Sequence, residues 1–200
     1  MSQPARDSSP PAMFDDTQEA LAGLVSRARA GDHAAFAALF ERYNAAICRY
    51  LARLVLDDDL GRDLAQDTFL AAWRGLASIQ DDARFAPWLY RIATNLARSH
   101  LRRARLIRWL PFGDPGGHPG AGHPSVAGPE EHAGEAEYVA LALAGMSSRC
   151  RACLLLQLEG GFSQREVAHL LGISEKSVSA YISRGRQQFR QTYQRLEGES

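Results

Sequence analysis

Apolar residues recur at intervals of three or four positions through most of the chain, which is the spacing of one face of an α-helix. This pattern predicts a helix over residues 17–30, a long second helix that ends at the acidic run 57–59, and a third helix that begins near Leu60. Phe40 lies within the apolar stripe of the second helix. No segment alternates apolar and polar residues in the manner of a strand, so the predicted fold class is all-α.

After the third helix, residues 75–85 show no periodicity and are predicted to form a loop. A fourth helix follows, with Pro87 in its first turn, where proline is tolerated, and it is predicted to reach about Ile107. Two further helices are predicted over residues 135–144 and 147–159.

Two stretches lack the apolar content that a core requires. Residues 1–16 are rich in Ser, Pro and small polar residues and are predicted to be a disordered tail. Residues 111–134 are dominated by Gly, Pro, Ala and His and are predicted to be a flexible linker. They leave two small helical domains, predicted at residues 17–110 and 135–200.

The segment Ser163–Arg190, SQREVAHLLGISEKSVSAYISRGRQQFR, has the local chemistry of a helix-turn-helix. Ser163 and Glu166 have the spacing of a capping box, which begins a short helix. Gly172 ends that helix, and Ser174 is a suitable N-cap for the next one. An ordinary helical hairpin with solvated arginines is the alternative, but the capping, glycine and charge signals all favour a DNA-binding motif.

The second helix of this motif separates apolar from polar residues. Val178, Ile182, Gly185 and Phe189 share one face, which predicts packing, and the opposite face is available to enter a groove of DNA. The candidates for contacts with base edges and phosphates are Lys176, Ser177, Ser179, Ala180, Ser183, Arg184 and Arg186.

Charge is segregated along the chain, although the 200 residues have a formal net charge of zero. Residues 83–110 contain seven arginines and no acidic residue, whereas residues 111–148 contain neither lysine nor arginine. Residues 176–195 are again basic and lack acidic residues. Two basic segments therefore flank an acidic connector, which favours two separate surfaces for nucleic acid.

The fourth predicted helix presents one of these surfaces. Its outer stripe, with one residue of the preceding loop, comprises Arg84, Trp88, Arg91, Asn95, Arg98 and Arg102. Aromatic rings stack on unpaired bases and arginines neutralise phosphates, so the stripe suits single-stranded nucleic acid. A place in the core is the alternative for the aromatic residues.

The third predicted helix has a polar face that does not belong to its core stripe. Its residues, at helical spacing, are Asp63, Gln66, Asp67, Leu70 and Arg74. Such a face can pair with a basic partner helix, or it can be an ordinary solvated surface, and the spacing leaves both alternatives open.

Cysteine usage and hydropathy indicate a cytosolic protein. Three cysteines are too few and too odd in number for a disulfide framework. No apolar run is long enough to span a bilayer, and the first residues lack the pattern of a signal peptide. We therefore expect no membrane insertion.

Cys150 and Cys153 form a C-x-x-C pair with three histidines upstream, His118, His123 and His132. A zinc or redox site is one hypothesis, but small buried cysteines are common in amphipathic helices, and we predict no metal and no cofactor. The sequence offers no nucleophile with a base, no phosphate-binding glycine loop and no paired carboxylates. We therefore do not expect an enzyme.

Four segments in order resemble a bacterial sigma factor of the extracytoplasmic-function (ECF) group of the sigma-70 family. The segments are GDHAAFAALFERY, DLAQDTFLAAWR, FAPWLYRIATNLARSHLRR and LLLQLEGGFSQREVAHLLGISEKSV. The resemblance covers nearly all of Leu21–Leu196 apart from the linker, and it implies sigma regions 2 and 4 in the two domains.

The resemblance implies that the protein binds core RNA polymerase and directs it to promoter DNA. The helix that carries Asp63, Gln66 and Asp67 then corresponds to the family's helix that docks on the clamp coiled coil of the β′ subunit. The stripe from Trp88, with the loop before it, corresponds to the part that recognises the melted −10 element. Residues Gln164–Ser183 correspond to the helix-turn-helix for the −35 element, with residues 175–188 in the major groove.

The family also implies a contact with the polymerase β flap near Leu154, Leu155, Leu156 and Leu158, and in many members an anti-sigma factor. This chain departs from many relatives at Lys176, Ser177 and Ser179, so its promoter sequence does not follow from theirs. A free-standing helix-turn-helix regulator that acts without polymerase remains the main alternative. A nucleic-acid-modifying enzyme with a DNA-binding tail is a more distant one.

Overall fold

The computed structural model describes residues 15–107 and 133–198, and within these ranges it contains helices and no strands. The all-α prediction is confirmed. Most of the predicted tail and linker lies outside the described residues. The helices are α1 (Asp15–Arg29), α2 (His33–Val55), α3 (Asp58–Gly75), α4 (Phe85–Ile107), α5 (Ala133–Ala144), α6 (Ser148–Leu158), α7 (Gln164–Leu171) and α8 (Glu175–Gly198).

Short polar side chains begin the helices of the N-terminal half, residues 15–107. Asp32 caps α2 by accepting hydrogen bonds from the amides of Ala34 and Ala35, and these bonds, with Arg27, lower the pKa of its carboxyl group. Asp57 caps α3 in the same way. Between the two helices Leu56 adopts a left-handed conformation, with φ of 63°. The acidic run predicted to end the second helix therefore begins the third.

The core of the N-terminal half forms where α2 crosses α3 and α4. Tyr50 and Leu89 are completely buried there, and the Tyr50 hydroxyl lies 2.8 Å from the Thr94 hydroxyl. Close contact between α2 and α3 requires Gly61, because a Cβ at that position would lie 2.6 Å from the backbone N and Cα of Ala52. Phe40 departs from the predicted stripe: 38% of it is exposed, and its ring meets the edge of Phe69.

The C-terminal half, residues 133–198, packs α6 and α7 against the inner face of α8. Val178 and Ile182 are buried as predicted. Gly185 allows close approach, since a Cβ there would lie 2.9 Å from the Met146 methyl group. Helix α8 continues ten residues beyond the predicted Gln188. Its last turns contain no breaker before the final glycine, and Tyr193 stacks on Phe189 with ring centroids 5.8 Å apart.

The two halves pack against each other, which neither the helical periodicity nor the linker composition predicts. Helix α6 lies on α2, and α7 lies on α4. At the centre, the rings of Tyr90 and Phe162 meet edge to face with centroids 5.1 Å apart. Both residues are buried, and burial raises the pKa of Tyr90 to about 12.

Two glycine-to-alanine substitutions test the α2–α3 packing. We expect Gly61→Ala to destabilise the chain by about 1–3 kcal/mol, because backbone atoms of Ala52 must move. Gly23→Ala, in α1 with no atom within 4 Å of the added Cβ, should instead stabilise it by roughly 0.5–1 kcal/mol through helix propensity. Chemical denaturation measures both. Equal effects of the two substitutions would contradict the packing described.

Candidate nucleic-acid interface

Helix α3 turns its predicted polar face to solvent. Leu64, Thr68 and Phe69 point into the core. The predicted docking residues are all exposed, namely Asp63, Gln66, Asp67, Leu70 and Arg74. Leu70 is the most unusual of them, because an apolar side chain of this size is 54% exposed. Among the described residues, neither Asp63 nor Asp67 takes part in an ion pair.

Helix α4 carries the predicted cationic stripe on one exposed face. Its inner residues Leu89, Ala93 and Ala97 are fully or almost fully buried. The exposed residues of the stripe are Arg91, Asn95, Arg98 and Arg102. This arrangement agrees with the sequence prediction for these four side chains.

The aromatic residues near this stripe are more deeply packed than the arginines. Trp88 is half-buried, with its ring 5.9 Å from that of Phe85. Trp73 packs on His33 and Phe36, with centroids 4.8 Å apart in each case. Of the two tryptophans that the described ranges contain, Trp88 is therefore the one that combines partial exposure with a position on the α4 stripe.

The segment between α3 and α4 is ordered by short contacts, although it has no periodicity in sequence. It contains two 3-10 turns, Leu76–Ser78 and Asp82–Arg84. The Ser78 hydroxyl donates to the Gly75 carbonyl at 2.7 Å, and Asp81 accepts from the Ala83 amide at 3.0 Å. Arg84 is exposed and pairs with Asp81 at 3.2 Å. We call residues 76–84 the α3–α4 loop.

The helix-turn-helix forms as predicted at its capping residues. The Ser163 hydroxyl accepts from the Glu166 amide, and the Glu166 carboxylate accepts from the Ser163 amide at 2.9 Å. The Ser163 hydroxyl also donates to the Glu166 carboxylate at 2.7 Å, and this bond, followed by the one from the Ser163 amide, lowers the pKa of Glu166. Gly172 adopts the predicted left-handed conformation, with φ of 64°. Ser174 then accepts from the Ser177 amide at 3.1 Å.

The outer face of α8 holds the predicted DNA-contacting residues. Ser177 is half-buried, and its hydroxyl lies 2.8 Å from that of Ser174. Arg186 is exposed but donates to Gln157 at 3.0 Å. The remaining candidates are all exposed, namely Lys176, Ser179, Ala180, Ser183 and Arg184.

A cleft of about 960 Å³ separates the α4 stripe from the helix-turn-helix. Trp88, Arg91 and Arg84 line one side, together with the α3–α4 loop. Arg165 and His169 of α7 line the other side. The predicted −10 surface and the first helix of the helix-turn-helix therefore face a common space, which spacing in the sequence does not reveal.

One buried carboxylate joins the halves, at the groove beside α6. Glu159 is only 11% exposed in its side chain, and its carboxylate lies 2.6 Å from Nη1 of Arg53 and 3.6 Å from Nε of Arg49. Glu159 follows α6, and both arginines belong to α2. This ion-pair cluster and the Tyr90–Phe162 contact hold α6 and α7 against the N-terminal half.

Cys150 and Cys153 are buried and unbridged, and burial raises the pKa of Cys153 to about 11. Within the described ranges, no three His, Cys, Asp or Glu side chains are grouped as a metal site would require. The three histidines weighed as further ligands lie outside those ranges. Among the helices of the described segments, none is both long enough and apolar enough to cross a membrane.

Comparison with known proteins agrees with this geometry. The family model Sigma-70 region 2 matches residues 39–107, and Sigma-70, region 4 matches residues 136–189. The RNA polymerase sigma factor NccH of Alcaligenes xylosoxydans xylosoxydans is 32% identical, over 82% of this chain and 89% of NccH. The ECF RNA polymerase sigma factor SigL of Mycobacterium tuberculosis is also 32% identical, over 86% of this chain and 96% of SigL.

A solved structure extends the similarity to three dimensions. The structure of CnrH in complex with the cytosolic domain of CnrY has a TM-score of 0.65 and 28% identity, and it covers 90% of this chain and 99% of the matched chain. The chain belongs to the sigma-70 family, in its ECF group. It is a sigma factor that directs promoter-specific transcription.

Thiol reactivity tests the burial of the cysteine pair. In the native protein at pH 8, we expect an alkylating reagent to modify the half-exposed Cys48 first. Cys150 and Cys153 should stay largely unmodified, since they are buried and the thiolate of Cys153 is scarce well below pH 11. Intact-mass spectrometry counts the adducts, and the denatured chain is the control. Equally fast modification of all three thiols in the native protein would contradict this account.

Proposed function

We propose that the outward face of α3 docks on the clamp coiled coil of the polymerase β′ subunit. Two carboxylates without ion-pair partners among the described residues and one exposed leucine support this role. Asp63 and Asp67 can pair with basic groups of a partner helix, while Leu70 supplies apolar contact. The rigid packing of α3 on α2 keeps these side chains in fixed register. Catalysis then belongs to the polymerase, which the sigma factor positions.

The exposed stripe of α4 and the α3–α4 loop are proposed to hold the melted −10 element. Arg91, Arg98 and Arg102 can neutralise phosphates, Asn95 can hydrogen-bond a base edge, and the partly exposed Trp88 ring can stack on a base. Arg84, at the end of the loop, extends the cationic surface toward the cleft. A base drawn out of the stack can enter this space, which supplies sequence choice during melting.

Helix α8 is proposed to enter the major groove at the −35 element. Residues Lys176, Ser179, Ala180, Ser183 and Arg184 form its exposed surface. Short polar side chains can approach base edges closely, and the cationic ones can reach bases or phosphates. Ser177 is better suited to capping, and Arg186 must leave Gln157 before it can bind phosphate.

The contact with the β flap is proposed for the apolar groove beside α6. Of the four leucines in this segment, Leu154, Leu155 and Leu156 are buried, whereas Leu158 is 64% exposed. Leu158 lines the groove together with Phe189 and Tyr193. Leu158 is therefore the leucine available to a partner, and the other three form core.

Promoter binding requires the two halves to separate. The −35 and −10 elements lie roughly 25 base pairs apart, or about 85 Å of duplex at about 3.4 Å per base pair. Here α7 lies directly on α4, and residues from both line one cleft. The packed form therefore cannot place both surfaces on their elements at once, so we propose that it is the form of the chain away from polymerase.

We further propose that the protein acts in the cytoplasm, where core polymerase and promoters are found, and that an anti-sigma factor regulates it. The solved relative CnrH is bound to the cytosolic domain of CnrY, and its fold covers both halves of this chain. A partner that binds the packed form in preference to the separated one would keep this chain from promoters.

Two single substitutions test the division of labour between the halves. Asp67→Ala should weaken binding to core polymerase on the order of tenfold. When polymerase is saturating and the holoenzyme is assembled, this variant should still bind the promoter fragment. Arg184→Ala should leave core binding unchanged and weaken promoter binding on the order of tenfold. Transcript start-site mapping identifies the promoter. Fluorescence anisotropy then measures binding to labelled core enzyme and to the labelled promoter fragment.

Matched controls lie on the same helices. Asp58→Ala removes a half-buried carboxylate in the first turn of α3 that lies away from the docking face, and Arg195→Ala removes a cation near the end of α8. Both should bind core enzyme and promoter as the unmodified chain does. Loss of the same activity to the same extent in Asp67→Ala and Arg184→Ala would refute the division of labour.

A further inference from the structure

We propose that Arg29, at the end of α1, is a positioning residue that fixes the α3–α4 loop for recognition of the melted −10 element. The inference rests on the proposed function of that loop. Helix α1 precedes the segment that the region 2 family model matches, residues 39–107. Arg29 lies 50 positions before the carbonyl it contacts. It therefore adds a determinant from outside the surface described above.

The Arg29 guanidinium contacts both parts of the loop through one nitrogen. Nη1 donates to the Ile79 carbonyl at 3.1 Å and lies 3.0 Å from Oδ1 of Asp82. Ile79 lies between the two 3-10 turns, and Asp82 begins the second turn. A single side chain thus connects the end of α1 to the middle of the loop and to its second turn.

Contacts within the loop do not replace this connection. The bonds from Ser78 to Gly75, from Ala83 to Asp81 and between Arg84 and Asp81 join residues two or three positions apart. They shape each turn but leave its position on the domain free. Among the described residues, the hydrogen bonds and ion pairs that reach residues 76–84 from beyond the adjoining helices α3 and α4 both come from Arg29.

Burial makes the ion pair more than a surface contact. The Asp82 side chain is 19% exposed, and its Oδ1 atom is buried without a hydrogen bond of good geometry. The Arg29 charge 3.0 Å away therefore compensates that oxygen. Loss of the guanidinium leaves a buried carboxylate oxygen uncompensated, which favours movement of the turn toward water. Buried Leu76 and Ile79 hold the first part of the loop, so its second turn is the part that depends on the ion pair.

The position of the loop matters because it lines the cleft that the α4 stripe faces. Ser78, Gln80 and Asp81 contribute to the wall of the cleft opposite α7, next to Trp88 and Arg91. A pocket that selects an unpaired base must hold its polar groups in place before the base arrives. Arg29 supplies this preorganisation without contact with the nucleic acid.

The test measures base discrimination by the full chain assembled with core polymerase. The probes are single-stranded oligonucleotides with the −10 sequence found by start-site mapping, each with one position replaced by an abasic site. At the position where base removal weakens binding most, the unmodified holoenzyme should bind the intact strand on the order of tenfold more tightly than the abasic strand. Arg29→Ala should reduce that ratio to about two or less while core binding is unchanged.

Two further variants separate positioning from folding. Arg27→Ala removes a neighbouring arginine of α1 that pairs with Asp32 and is 63% exposed, and it should keep the full ratio. Asp82→Asn removes the ion pair but keeps the Arg29 bond to Ile79, so an intermediate ratio is expected. If Arg29→Ala does not fold, Asp82→Asn alone decides the matter, and a full ratio in that variant overturns the inference.

The outcomes distinguish this inference from the function on which it rests. If the unmodified holoenzyme shows no preference for any −10 base, the proposed function of the loop is wrong. If it shows the preference and folded Arg29→Ala keeps it in full, that function stands and the role of Arg29 is wrong. A reduced ratio in Arg29→Ala with a full ratio in Arg27→Ala supports the positioning role.

Discussion

The ion-pair cluster of Glu159 with Arg49 and Arg53 is the contact on which the placement of the two halves depends. It lies beside the Tyr90–Phe162 ring contact, so a charged and an apolar interaction act at one site. Pairs between exposed charges contribute little, but Glu159 is almost fully shielded from water. Because both arginines come from α2, the cluster connects the end of α6 to one helix of the N-terminal half, beside apolar packing that both halves share.

In the packed arrangement, clefts between the halves border the surfaces proposed for nucleic acid. The surface proposed for the −10 element and the first helix of the helix-turn-helix line the same 960 Å³ cleft, so each restricts access to the other. Arg98 and Arg102 border a second cleft, opposite Arg149 and Ile173 of the C-terminal half. The side chains of both predicted nucleic-acid surfaces stay exposed in the packed form, but the clefts between the halves limit the room for a nucleic-acid strand on the α4 stripe.

Local sequence signals predicted the parts of the fold that depend on neighbouring residues. The capping box of Ser163 and Glu166, the stop at Gly172 and the buried face of α8 follow from helical spacing and hydrogen-bond chemistry. Sequence reasoning missed Arg29 and Glu159, because their partners lie 50 and 106 positions away and only packing brings them together. The burial of Phe40 was mispredicted for a related reason. Periodicity defines the apolar face of α2, but the width of the helix that covers this face decides which residues at the edge of the face stay exposed.

The most direct test of the account is the distance between the halves in the free and the promoter-bound states. Dyes at Gly23→Cys in α1 and Gln187→Cys in α8, with Cys48 replaced by serine, report it by single-molecule energy transfer, since both positions are exposed. We expect high transfer in the free chain and a single low-transfer state in the holoenzyme on its promoter. Equal transfer in the two states would contradict it.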